Sequence, residues 1–328
     1  SDQVITFASN TMPILAILRR DALAQNPTYI YHDLGSSPLL DEQRLRSIYG
    51  YQFDVKQVTS ASEIPEHQCG TTLFVTQSSY QTPLTNHINI DATINRHPQF
   101  GATMVIHKSP VLDPQVTEIV KDVQHVRRRE TIAMTPPNAL KVLKEMVRDV
   151  TSDIDLIQGD NSQIVHQCIQ DNTGSSIAPL VASSGLAIQY AIMMGLVENA
   201  IIKHPNKPIA LILPPNCYGG TNDQARRIAN LIPNTDIFDL LVDGGHDLVT
   251  SLDAVLTQVA RNNSVPIVLA EIPTNPRVEV PDMSELARVL SQPRKTTGNE
   301  DAVKPAFMVD QTFCPNVKLL GQDNLLAN

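Results

Sequence analysis

The chain has 328 residues and a mass of 36.0 kDa, more than one typical domain holds and about right for two. Hydrophobic residues make up 42% and charged residues 18%, a globular balance that excludes disorder as the dominant state. The 25 basic against 34 acidic residues leave a net charge of −9, the wrong sign for a protein that grips phosphate backbones, so nucleic acid is not an expected partner.

The negative charge sits in the second part of the chain. Residues 1–150 carry 14 basic and 15 acidic side chains, and residues 151–328 carry 11 and 19. There is no internal repeat and no low-complexity segment. In chain order, residues 41–49 predict a short helix. Leu73, Phe74 and Val75, and then residues 102–106, are rich in β-branched residues and predict strands. Residues 111–129 predict a helix with Pro114 near its start. The remainder, including the polar stretch 77–96, fits no assignable element. Residues 1–125 are therefore expected to be an extra N-terminal mixed α/β region of unassigned fold.

From residue 130 the pattern sharpens. Pro136 and Pro137 open a helix through Leu140, Val142, Leu143, Met146 and Val147. Residues 179–182 form a short apolar run that Ser183-Ser184-Gly185 interrupts. A long apolar helix starts there, with Leu186, Ala187, Ile188, Ala191, Ile192, Met193 and Leu196. Strands are then predicted at 208–213, 237–242, 265–270 and 306–309, and helices at 222–231, 248–260 and 283–290. The polar segment 291–304 predicts a surface loop. Strands without polar alternation, separated by amphipathic helices, predict an α/β fold: a mostly parallel sheet with helices on both faces.

Several classes fall away. No stretch reaches the roughly 18–20 unbroken apolar residues of a membrane helix, so no membrane partner is expected. The start Ser1-Asp2-Gln3-Val4 has no secretory pattern. Cys69, Cys168, Cys217 and Cys314 lie far apart without a CxxC pair, which fits a reducing cytoplasm rather than a disulfide framework or zinc knuckle. Trp is absent and aromatics are 4%, which argues against a stacking platform for single strands. The nine histidines show no paired metal spacing, so no metal ligand is assigned. Gly244-Gly245 lacks a GxGxxG or Walker pattern, which disfavours a doubly wound nucleotide binder.

Ligands of open α/β sheets bind beyond the carboxyl ends of the strands. Beyond these strands stand Cys217-Tyr218-Gly219-Gly220-Thr221, Glu271-Ile272-Pro273-Thr274-Asn275-Pro276 and Asp310-Gln311-Thr312-Phe313, and Ser183-Ser184-Gly185 marks a helix start. Helix-start N–H groups beside Gly and hydroxyls suit a phosphate. A Tyr on a Gly-rich turn suits a heteroaromatic ring. An Asp at a strand end suits a protonated ring nitrogen, and an Asn amide can donate to a ring hydroxyl. Taken singly, each cluster also reads as a helix cap or an ordinary turn. Together they describe a pocket for pyridoxal 5'-phosphate.

Tyr218-Gly219-Gly220-Thr221, Glu271-Ile272-Pro273-Thr274-Asn275-Pro276, Val309-Asp310-Gln311-Thr312-Phe313 and Ser183-Ser184-Gly185-Leu186-Ala187 resemble, in order and rough spacing, the pyridoxal-phosphate enzymes of cysteine and methionine metabolism. That group includes cystathionine γ-synthase, the cystathionine lyases and methionine γ-lyase. The resemblance covers roughly residues 125–328 and implies the large domain of a type I pyridoxal-phosphate transferase over 126–328. It implies that Ser184, Gly185 and Leu186 hold the phosphate. It also implies that Tyr218 stacks on the ring and helps move protons, that Asn275 touches the ring hydroxyl, that Asp310 binds the ring nitrogen, and that Thr312 lines the same wall. Glu271 matches an acidic family position without an assigned role.

The departures shape the remaining expectations. Gln311 stands where the family has Asn, and Arg127, Arg128 and Arg129 precede Thr135-Pro136-Pro137-Asn138 without the family's Tyr-x-Arg element. The family's Schiff-base lysine falls some two dozen residues after the Asp-x-Thr-Phe strand, past Asn328, and Lys318 stands too early. The expectation is therefore the front portion of a longer enzyme, inactive alone, whose small C-terminal domain lies beyond this chain. The resemblance implies a lyase or transferase working on sulfur-containing or related amino acids by β or γ elimination or replacement, as a homodimer or homotetramer. The alternative is a non-catalytic relative that acts by binding or assembly.

Overall fold

The computed structural model describes residues 3–35, 39–77, 89–97, 100–107, 114–146, 161–275 and 277–319, with backbone alone at Gln3 and at 114–117. The expectation for residues 77–96 therefore lies partly outside the described residues. The chain divides into two compact units, Ser1–Ile157 with Ser183–Ala187, and Gln158–Ala182 with Ile188–Asn328.

The first unit is built on a mixed six-stranded sheet. Its strands are β1 (Gln3–Phe7), β2 (Thr28–His32), β3 (Phe53–Gln57), β4 (Thr71–Thr76), β5 (Ala92–His97) and β6 (Gly101–Ile106), in the order β1-β6-β5-β4-β2-β3. The strands β3, β2, β4 and β5 are parallel, while β6 runs antiparallel to β5 and β1. The register explains why the rows differ in chemistry. Val75, Ile94, Met104 and Ile5 stand side by side and are buried to 2% exposure or less, whereas the next row is Thr76, Asn95, Thr103 and Thr6. This is the period-two alternation of a pleated sheet. Gly101 opens β6 at φ +106, where a Cβ would strike the Phe7 carbonyl oxygen, so only glycine serves there.

Helices α1 (Met12–Ala24), α2 (Glu42–Ser47), α3 (Pro114–Arg129) and α4 (Pro136–Met146) complete this unit, with α1 and α3 packed on each other and on the sheet. Arg19 of α1 pairs with Glu130, just past α3, at 3.1 Å, with both side chains 1% exposed. The region up to residue 125 thus has a definite fold that sequence reasoning did not reach. The helix at 136–146, expected in the second domain, falls within the first unit, as does the helix at 114–129.

The second unit contains α5 (Asn161–Thr173), most of α6 (Gly185–Lys203), β7 (Ile209–Leu213), α7 (Gly219–Leu231), β8 (Thr235–Asp239), α8 (Leu248–Arg261), β9 (Val265–Glu271), α9 (Met283–Ser291) and β10 (Ala306–Asp310). The four strands are all parallel, in the order β10-β9-β7-β8. Every residue of β7 and β9 is buried, which is why both read as unbroken apolar runs. Ala210, Ile212, Leu252, Leu256, Val259, Val268 and Leu286 form the centre of a core that joins this sheet to α8 and α9.

Some boundaries move. Strand β8 begins at Thr235, opposite Ile209, and ends at Asp239, because pairing with β7 and not apolarity sets its limits. The glycines at 219 and 220, read as a turn, form the first turn of α7. The apolar run at 179–182 is coil, with Leu180 79% exposed. The segment 291–304 carries a short hairpin bridged at Lys295 and Asp301 and anchored by Arg294 to Asp253 at 2.6 Å. By length and composition α6 is long and apolar enough to cross a membrane. Counting unbroken apolar residues missed it because Gln189, Glu198 and Asn199 interrupt the run.

Candidate functional site

In the second unit the chain leaves β7 toward β8 on one side, and β9 and β10 lie on the other. The crevice beyond the carboxyl ends of β7 and β9 is therefore the topological switch point of this sheet, the place where open α/β sheets bind ligands. A small open crevice lies there, lined by Gln189, Cys217, Thr221, Leu269, Ala270, Glu271, Met308 and Asp310. Its enclosed space is about that of one water molecule, so it takes one small group of a ligand rather than the whole.

Glu271 ends β9 and is 7% exposed. Its Oε1 accepts the Tyr218 backbone N–H at 2.7 Å, and the Asn275 backbone N–H also supports the carboxyl. Its Oε2 is buried without a hydrogen-bond partner. Burial pushes the Glu271 carboxyl above its ordinary pKa, and the negative charge of Asp310 pushes it further in the same direction. Asp310 stands opposite Glu271 in the register of β10 and β9. Its Oδ1 accepts both the backbone N–H and the hydroxyl of Thr312, at 2.9 and 2.6 Å.

Tyr218 is the N-cap residue of α7 and is 47% exposed. The buried Gly220 and Thr221 follow in the first helical turn. Asn275 is half-buried in a loop that Thr274 closes by bonding Glu279 through its N–H and Oγ1. Tyr218, Glu271, Asp310 and Thr312 are thus gathered at one strand edge, and the Asn275 backbone joins them. Ser184, Gly185 and Leu186 lie in the segment grouped with the first unit. There Ser184 Oγ accepts the Ala187 N–H at 3.1 Å as a helix cap, and Gly185 has open space around it.

Sequence reasoning missed a buried polar chain beside the pocket. Gln189 of α6 donates from Nε2 to Gln224 Oε1 at 3.0 Å and accepts the Thr221 hydroxyl on Oε1 at 3.3 Å. A glutamine inside an apolar helix, one turn from its start, was the available signal. Gln311 donates to the Val317 carbonyl at 3.0 Å, so it shapes the turn after β10. The Cys314 thiol donates to the Ile272 carbonyl at 3.0 Å. Burial and the nearby Glu271 push the Cys217 thiol up to about 12, which makes it an inert packing residue.

The donor set suits a cationic heteroaromatic group. Two carboxyls stand side by side, one with an unsatisfied buried oxygen and bonded to the backbone of an exposed tyrosine at a glycine-rich helix start. A protonated ring nitrogen placed there relieves the repulsion between the carboxyls and gives the orphaned region a counter-charge. These residues therefore fit the ring of pyridoxal 5'-phosphate.

No protein-family model matches the chain, and no curated protein matches it. Among solved structures, a cystathionine γ-lyase (CalE6) from Micromonospora echinospora is similar at 17% identity and TM-score 0.32, covering 48% of this chain and 34% of that one. MetB from Corynebacterium glutamicum is similar at 17% identity and TM-score 0.30, covering 49% and 34%. The C-terminal domain of a glucosamine-fructose-6-phosphate aminotransferase from Francisella tularensis covers 92% and 85% at 12% identity and TM-score 0.20. The matched region spans about a third of the first two proteins. Likeness at these scores says nothing of activity.

Proposed function

We propose that the second unit binds pyridoxal 5'-phosphate at the carboxyl ends of β7, β9 and β10, as part of an enzyme that acts on sulfur-containing or related amino acids. The observation that carries this reading is the Glu271–Asp310 carboxyl pair at the switch point, with the Tyr218 backbone N–H on Glu271. When bound, the cofactor supplies an electron sink that stabilises a carbanion at the amino-acid α-carbon. Asp310 holds the ring nitrogen in its protonated form, and Thr312 fixes the Asp310 carboxylate in position. Tyr218 covers one ring face, and the Asn275 amide donates to the ring hydroxyl. The first turn of α6, with Ser184, Gly185 and Leu186, takes the phosphate; this part of the reading rests on the sequence motif. The assembly is a homodimer or homotetramer in a reducing, cytoplasmic setting, again on the strength of the sequence.

The test is a titration of the chain with pyridoxal 5'-phosphate, followed by the cofactor's absorption and fluorescence. Saturable binding that Asp310→Asn weakens supports the reading, and no binding defeats it. A second reading follows from the pocket lining, which among the described residues contains no lysine. On that reading the fold holds the cofactor, or a similar ring, without a covalent link and acts by binding or assembly. Borohydride treatment of the protein as its cell makes it separates the two. A trapped lysine adduct supports the enzyme, and its absence with retained binding supports the binder.

A further inference from the structure

We propose that Glu271 is the positioning residue of this pocket: it ties Tyr218 to the sheet, and the strength of that tie follows the charge placed beside Asp310. The inference rests on the pyridoxal-phosphate reading only for the identity of that charge. Three observations carry the tie itself. Glu271 Oε1 accepts the Tyr218 N–H at 2.7 Å, which joins the end of β9 to the start of α7. The carboxyl is buried, and its second oxygen lacks a hydrogen-bond partner. Asp310 stands beside it in strand register and is the one charged side chain acting on it among the described residues, with Cys217 the other titratable group in the lining.

The coupling follows from elementary electrostatics. With no cation beside Asp310, burial and the neighbouring carboxylate favour an uncharged Glu271, whose carbonyl oxygen is an ordinary acceptor for Tyr218. A cation beside Asp310 cancels the repulsion. The Glu271 O–H bond then breaks, the electron pair stays on the carboxylate, and the proton goes to solvent. The Tyr218 N–H bond becomes charge-assisted and stronger. A cation beside Asp310 thereby stiffens the backbone at Tyr218.

Amide hydrogen exchange at Tyr218 in the full chain tests this, with rates corrected for intrinsic pH dependence. In the wild type without added cofactor, Tyr218 protection should rise roughly tenfold as pH climbs through the raised Glu271 pKa, where a neutral acceptor becomes a charged one. Glu271→Gln keeps an acceptor without the charge, and its protection should be flat with pH. Glu271→Ala should lose the protection. Wild-type protection that does not change with pH overturns the inference, and this comparison needs only the wild type and the glutamine variant if the alanine variant does not fold. Pyridoxal 5'-phosphate is then added to each. Binding should move that rise to lower pH; binding that leaves the Tyr218 pH profile unaltered overturns the inference and leaves the cofactor reading standing. Failure to bind, with the pH response of Tyr218 present, defeats the cofactor reading and leaves the tie in place.

Discussion

Glu271 and Asp310 face one another at the ends of neighbouring parallel strands, and the Glu271 carboxyl also holds the backbone of Tyr218 at 2.7 Å. Two carboxyls brought together at a half-enclosed strand edge repel unless one is neutral or a cation lies between them. The account of the second unit turns on that pair.

The pair makes stability depend on pH. The Glu271 pKa is raised by burial first and by Asp310 second. Below the ordinary carboxyl pKa, both folded and unfolded chains hold the proton. Above it the unfolded chain releases the proton before the folded one, so stability falls as pH rises through the raised pKa. Glu271→Gln should therefore gain in thermal midpoint over the wild type as pH rises, with the smallest gap at acid pH. Midpoints measured across that range check it, and a gap that shrinks with rising pH contradicts it.

Thiol reactivity should divide the cysteines. Cys69 and Cys168 are exposed, whereas Cys217 is buried with its thiol pushed up to about 12. Alkylation at mildly basic pH, read by mass spectrometry, should label Cys69 and Cys168 and leave Cys217 unmodified until the chain unfolds. Early labelling of Cys217 would contradict its role as packing.

In the first unit, Glu130→Ala should be strongly destabilising. It removes the carboxylate that pairs with the Arg19 guanidinium, in a site where both side chains are 1% exposed. Breaking a buried pair from one side costs about 3–5 kcal/mol, whereas replacing both partners with apolar residues of similar volume is far milder. Denaturant unfolding of the single and double variants checks the difference, and equal losses would show that the pair does not act as one.

His97 gives the first unit an acid limit. Burial lowers its pKa below the ordinary histidine value near 6.5. The unfolded chain takes up the proton first as pH falls, so stability is complete above that value and is lost below it. His97→Gln should flatten this part of the pH profile, as read by circular dichroism. An unchanged profile would place the acid limit elsewhere.

The second unit was legible because β7 and β9 are buried throughout, and a strand covered on both faces leaves an unbroken apolar run. Its site was legible in part for the same reason: Glu271 and Asp310 are the first polar residues past apolar runs, and Tyr218 follows β7 by five residues. The first unit was legible only in pieces, at β4, β6, α2 and α3, because other strands carry a polar row. Thr93, Asn95 and His97 of β5 are buried polar residues, and nothing in their order separates them from a loop. Helix α1 buries Arg19 and Asp21, which breaks the apolar stripe that marks a helix. Gln189 escaped notice because its partners, Thr221 and Gln224, lie more than thirty residues away. Ser184 was legible as a helix start, and its Oγ is used as the cap.

The most direct test of the central claim is pyridoxal 5'-phosphate binding to the purified chain, compared between wild type and Asp310→Asn. Loss of a charge-assisted hydrogen bond to the ring nitrogen is worth about 1.5–3 kcal/mol, so the variant should bind roughly 10–100-fold more weakly. Equal binding by the two proteins, or none by the wild type, would contradict the placement of the ring between Tyr218 and the Glu271–Asp310 pair.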